Sequence, residues 1–182
     1  MNKKAMGVGQ VFVFIIAALT FSLIMIFGYK AISGFIASGE QVEFVQFKNN
    51  LEGSVQKIYT EYGSVRLEKL RVPGKYTQIC FINLDYPPEA IKKEWAGLCE
   101  KDQVACTVWD DALNTEEVSG YGSVDENVFL KPSAVVKLKI GRISLVNENG
   151  DAQGYLCLPI NNGFFSVMLE GKGDHTELSK VK

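Results

Sequence analysis

The sequence predicts an α+β fold: a long N-terminal helix, apolar and then amphipathic, packed on a small antiparallel β-sheet domain. Three observations predict it. An uncharged run at residues 5–29 follows Lys3 and Lys4. After Glu40 the apolar residues recur at helical spacing. Beyond Pro73 they fall in short runs of strand type, separated by turn signals. The implied boundaries are a short basic stretch at 1–9, an apolar helix at 10–36, its amphipathic continuation at 37–63, a β-rich domain at 64–174 and a flexible polar tail at 175–182.

Residues 11–27 read VFVFIIAALTFSLIMIF, polar only at Thr20 and Ser22. A helix of about 20 apolar residues crosses the hydrocarbon core of a bilayer, so membrane lipid is an expected partner and the chain an expected single-pass protein. Basic flanks stay cytoplasmic, which puts the N-terminus inside and the C-terminal domain outside. Residues 1–39 carry three lysines and no acid, whereas the remainder carries 16 basic and 21 acidic residues. An acidic exterior domain argues against nucleic acid as a partner. A cleavable secretory signal is the competing reading, but its apolar core runs only about 7–15 residues. Here the apolar character resumes after Lys30 at Ala31, Ile32, Phe35 and Ile36, and Ala31-Ile32-Ser33 makes a poor cleavage site.

From Glu40 the apolar positions are Phe44, Phe47, Leu51, Val55, Ile58 and Tyr62. Steps of three and four place them on one helix face, with Glu43, Gln46, Lys48, Glu52, Gln56 and Glu61 elsewhere. No proline precedes Pro73. One helix from about residue 8 to 62 follows, roughly 80 Å long at 1.5 Å per residue. Two helices hinged near residues 34–39 is the alternative.

Strands are expected at 76–84, 105–109, 128–130, 135–140, 143–146, 154–160 and 164–169, and a short helix at 89–99 after Pro87-Pro88. The segment 147–151 contains Asn149-Gly150, a strong hairpin signal between 143–146 and 154–160.

Four cysteines lie beyond the apolar run, at 80, 99, 106 and 157. An even number in an exported domain suggests two disulfides. Cys99 and Cys106 would close a short loop, and Cys80 and Cys157 each sit within an expected strand, which favours that pairing. Four free thiols would require a cytosolic domain, and a zinc site would want closer pairs. Catalytic motifs are lacking. His175 is the single histidine and falls in the polar tail, and there is no G-x-S-x-G, H-E-x-x-H or phosphate loop. No catalytic, cofactor or metal residues are therefore assigned, and the chain is not expected to be an enzyme. The acid pairs Asp110-Asp111 and Asp125-Glu126 read as solvated loops, and Trp95 and Trp109 as core fillers.

The order of basic residues, Gly9-Gln10, an apolar helix, an amphipathic continuation and a β-rich disulfide domain resembles archaeal type IV pilin-like proteins with a class III signal peptide. The resemblance covers the first 60 or so residues in motif and the rest in architecture. It implies that a prepilin peptidase cuts between Gly9 and Gln10, leaving Gln10 as the mature start. It also implies a structural subunit of a cell-surface filament, assembling with itself or with other pilin-like subunits through the N-terminal helix. Ala17, Ala18, Gly28 and Gly34 are the small residues where such helices could approach closely. Two departures qualify the subunit type. Ala5-Met6-Gly7-Val8 separates the basic residues from Gly9, and Phe14 stands where many such subunits carry a glutamate. They argue against a repeating major subunit and are compatible with a minor subunit, or with an uncleaved anchored protein with an extracytoplasmic binding domain.

Overall fold

The computed structural model describes residues 8–86, 88–115, 126–134 and 136–181. The chain divides into two compact units, Met1–Val42 and Glu43–Lys182. Helix α1, Val8–Tyr59, supplies residues to both.

The second unit is α+β. It contains the C-terminal part of α1, helices α2 (Pro88–Lys101) and α3 (Gln103–Thr115), and eight strands. These are β1 (Val65–Arg71), β2 (Gln78–Ile82), β3 (Val128–Lys131), β4 (Ile143–Val146), β5 (Ala152–Gln153), β6 (Tyr155–Pro159), β7 (Phe164–Gly171) and β8 (Thr176–Lys180). One sheet has the order β1-β7-β8-β4-β5, antiparallel except where β4 runs parallel to β8. The other, β3-β2-β6, is antiparallel throughout.

The α1 stripe is the centre of the main core. Phe47, Leu51, Val55 and Ile58 are each at most 1% exposed and cluster with Leu70, Phe165, Val167, Leu169, Leu178 and Leu145. Burying each side chain of this size stabilises by about 1.5–3 kcal/mol. Two details lock helix to sheet. The buried Thr176 hydroxyl donates to the Val55 carbonyl at 3.0 Å. Gly171 at the end of β7 approaches the last helical turn so closely that an added Cβ would meet the carbonyl oxygens of Ile58 and Glu61. The three-stranded sheet is buried on both faces, so β2 reads as an unbroken apolar run. Ile79 and Phe81 join the main core, while Cys80 and Ile82 face a second cluster with Leu98, Ala105, Cys106 and Trp109.

Several expectations are corrected. Residues 105–109 are helical within α3, not a strand. Asp102 starts that helix, its carboxylate accepting the N–H groups of Val104 at 3.0 Å and Ala105 at 3.1 Å. Asp110 consequently sits on a helix rather than in a loop; Asp125 lies outside the described residues. Residues 136–140 form no strand, and only an isolated bridge joins Leu138 to Val128. Asn127 takes the place of a ladder there, accepting the Ile140 N–H at 3.1 Å and donating to the Gly141 carbonyl at 2.7 Å. The turn at 147–151 joins β4 to β5, whereas β6 pairs with β2 in the other sheet. The expected flexible tail at 175–182 is instead strand β8 over Thr176–Lys180, with Thr176 and Leu178 fully buried. Strand β1, which carries four charges in seven residues, was not expected at all. Helix α1 ends at Tyr59, and Tyr62 beyond it is 83% exposed.

Candidate functional site

The feature that stands out chemically is the apolar part of α1. Val11–Ile32, 22 residues, is long and apolar enough to cross a membrane, with a mean hydropathy of 2.7 over its most apolar 18-residue window. At 1.5 Å per residue it is roughly 33 Å long, against a hydrocarbon core of about 30 Å. Among the described residues of its own unit nothing covers it. Phe12, Phe14, Ile15, Phe21, Ile24 and Phe27 are each over 50% exposed, and these positions point to every side of the helix. The two hydroxyls are satisfied internally. Thr20 donates to the carbonyls of Ile16 and Ala17, both at 3.0 Å, and Ser22 to that of Ala18 at 2.9 Å. Hydrocarbon offers no such partner, so this local pairing is what an apolar medium demands.

Gly9 and Gln10 fall in the first turn of α1, and Gly9 is exposed with open space where a Cβ would be. Ala17 and Ala18 are exposed, and Gly28 is half-buried with open space around it. The surroundings of Gln10 and Gly34 lie outside the described residues.

In the second unit two disulfides are present. Cys80 on β2 joins Cys157, its directly opposite partner on β6. Cys99 on α2 joins Cys106 on α3, across the turn that Asp102 caps. Next to the first bond, Tyr86 donates to a Glu94 carboxylate oxygen at 3.0 Å, and the other oxygen accepts the Gly154 N–H at 2.8 Å. Burial, then this bond to Glu94, pushes the Tyr86 hydroxyl up. Trp95 is 41% exposed and Trp109 wholly buried, so only the second fills the core.

Other charged groups pair on the surface. Lys172 lies 2.7 Å from Glu170 and 3.0 Å from Glu177, and the bond to Glu170 is the main reason its ammonium is held above its ordinary value. Arg142 bonds Asp85 at 2.7 Å, which raises the guanidinium in the same way. Nδ1 of His175 is 2.6 Å from a carboxylate oxygen of Asp174, and that bond lowers the Asp174 carboxyl. Exposed pairs of this kind add little stability. Among the described residues no three His, Cys, Asp or Glu side chains gather as metal ligands. Open depressions of about 420, 330 and 340 Å³ are lined by lysine, asparagine and aliphatic side chains among others. Asn147, at the third, spends its side-chain oxygen on the N–H groups of Asn149 and Asp151, both at 2.9 Å.

No protein-family model matches the chain, and neither a curated protein nor a solved structure matches it.

Proposed function

We propose that the chain is a pilin-like structural subunit of a cell-surface filament, a minor one, processed at Gly9–Gln10 by a prepilin peptidase. One observation carries the reading. Helix α1 gives one unit a 22-residue apolar segment exposed on every side and gives the other unit the stripe at the centre of its core. Membrane lipid supplies no hydrophobic drive for helix association, so association of the apolar halves would use close packing at Ala17, Ala18, Gly28 and Gly34. The disulfide-bonded β domain would face the exterior, where such bonds persist.

The mature N-terminus tests this. Mass spectrometry of protein sheared from the cell surface should find Gln10 as the first residue. Gly9→Leu should stay at full length in the membrane and be missing from the sheared fraction. A second reading, an uncleaved single-pass anchor with an exterior binding domain, is favoured by Phe14 and by the spacing of Lys4 from Gly9. Wild-type protein confined to the membrane fraction with residues 1–9 attached would establish that reading instead.

A further inference from the structure

Strand β1 is the long edge of the five-stranded sheet. Among the described residues its only strand partner is β7, and the opposite edge, β5, is two residues long. An edge strand presents unpaired N–H and C=O groups that template another strand, and exposed apolar side chains make the invitation stronger. On β1, Val65 is 55% and Leu67 60% exposed.

The hydrogen-bond phase says which backbone groups are on offer. The Gly171 N–H bonds the Ser64 carbonyl at 3.0 Å, and the Val72 N–H bonds that of Gly163 at 2.8 Å. Antiparallel ladders exchange bonds at every second residue. The register pairs Arg66 with Leu169, Glu68 with Val167 and Leu70 with Phe165, so these even-numbered residues are bonded to β7. Val65, Leu67, Lys69 and Arg71 turn their backbone groups outward.

We infer that β1 is a self-pairing edge: two copies of the chain join β1 to β1, antiparallel, about a two-fold axis at Leu67. Outward residues must face outward residues, which leaves an axis at one residue of the strand. At Arg66, Glu68 or Lys69 two like charges meet, which is destabilising in a cross-strand pair. At Leu67 the leucines face each other, Val65 faces Lys69 of the second copy, and Arg66 faces Glu68 on both sides. The charge pattern of Val65–Arg71 is thus complementary to its own reverse in that register and not in its neighbours. Existing contacts permit it. Arg66 bonds Glu61 at 2.7 Å through one nitrogen, and a guanidinium has five N–H donors. The Lys69 ammonium rests 5.0 Å from the Phe164 ring centroid, a contact that pairing at the strand backbone does not require it to leave. This pairing is independent of the membrane reading.

The test uses the full chain in detergent micelles with single added cysteines under mild oxidation. Leu67→Cys should couple to itself, because directly opposite residues lie within disulfide reach. Val65→Cys alone should couple slower by on the order of tenfold or more, since the two positions are displaced by four residues, roughly 13 Å along the strands. Val65→Cys combined with Lys69→Cys should restore coupling. In the Leu67→Cys background, Glu68→Arg should abolish it and Arg66→Glu with Glu68→Arg should bring it back. Association driven by the apolar helix gives no such position dependence. Equal coupling at 65 and 67, no coupling at 67, or no recovery in the charge-swapped pair with an unchanged circular dichroism spectrum would overturn the proposal.

Discussion

The two halves of α1 obey opposite rules. In Val11–Ile32 apolar side chains cover the whole circumference and all remain exposed within their unit. In the stretch from Glu43 to Tyr59 they fall on one stripe apart from the exposed Val45, and Phe47, Leu51, Val55 and Ile58 are buried to within 1%. A stripe identifies a helix that its own domain receives. A full circumference suits a helix whose solvent is lipid or other helices. The same backbone therefore reports two environments through periodicity alone.

The strongest way to break this contrast is a charge on each half. Val55→Asp buries an unpaired carboxylate and should destabilise the second unit by about 4 kcal/mol, seen as a large drop in Tm of the full chain in detergent. Gln56→Asp, one step round the helix, should cost about 0.5 kcal/mol. Val13→Asp should leave that Tm unchanged while lowering retention in the membrane fraction. Equal small effects at 55 and 56 would mean that the stripe is not held by the domain.

The unit that receives the stripe is also stapled, and the staples should differ. Loop closure favours the Cys80–Cys157 bond, with a separation of 77 residues against 7 for Cys99–Cys106. The chain-entropy account gives about 4.5 and about 2.4 kcal/mol. Cys157→Ser should therefore lower Tm more than Cys106→Ser, and the reverse order would contradict it. Next comes the seat of the helix end. Gly171→Ala places a methyl against the carbonyls of Ile58 and Glu61 and should cost about 1–3 kcal/mol in denaturant unfolding. Wild-type stability in that variant would show the last turn of α1 to be loosely held.

The smallest effect concerns Glu126, outside the helix. Burial raises its carboxyl above the ordinary 4.5, against the opposing pull of Lys137. The fold then prefers the protonated form, so the carboxyl begins to cost stability as pH rises through the unfolded value and costs it fully above the raised one. Glu126→Gln should raise stability at pH 7 by no more than about 0.5 kcal/mol and be neutral at pH 3. A lower Tm at pH 7 would reverse the sign.

What could be read from the sequence follows the same logic. The stripe from Phe44 to Ile58 was legible because helix period and burial coincide. Strands β2, β3, β4, β6 and β7 were legible because both-face or alternating burial leaves apolar runs. The segment 105–109 misled because Val104, Cys106, Thr107, Val108 and Trp109 are locally strand-prone, while the deciding cap, Asp102, lies just upstream. Strand β1 was hidden by Arg66, Glu68, Lys69 and Arg71, which suit an edge. Strand β8 has one apolar anchor, Leu178, and its other buried residue is Thr176, whose role depends on the Val55 carbonyl 121 residues away. Residues 136–140 alternate like a strand, but a side-chain amide, Asn127, takes the backbone bonds. Of the candidate site, the apolar segment and the cysteine positions were plain, and the self-complementary edge was not.

The most direct measurement is protease treatment of intact cells carrying an epitope after Lys182. With Val11–Ile32 across the membrane and the β domain outside, the epitope should be removed without lysis. Full protection of the epitope until the cells are lysed would contradict this arrangement.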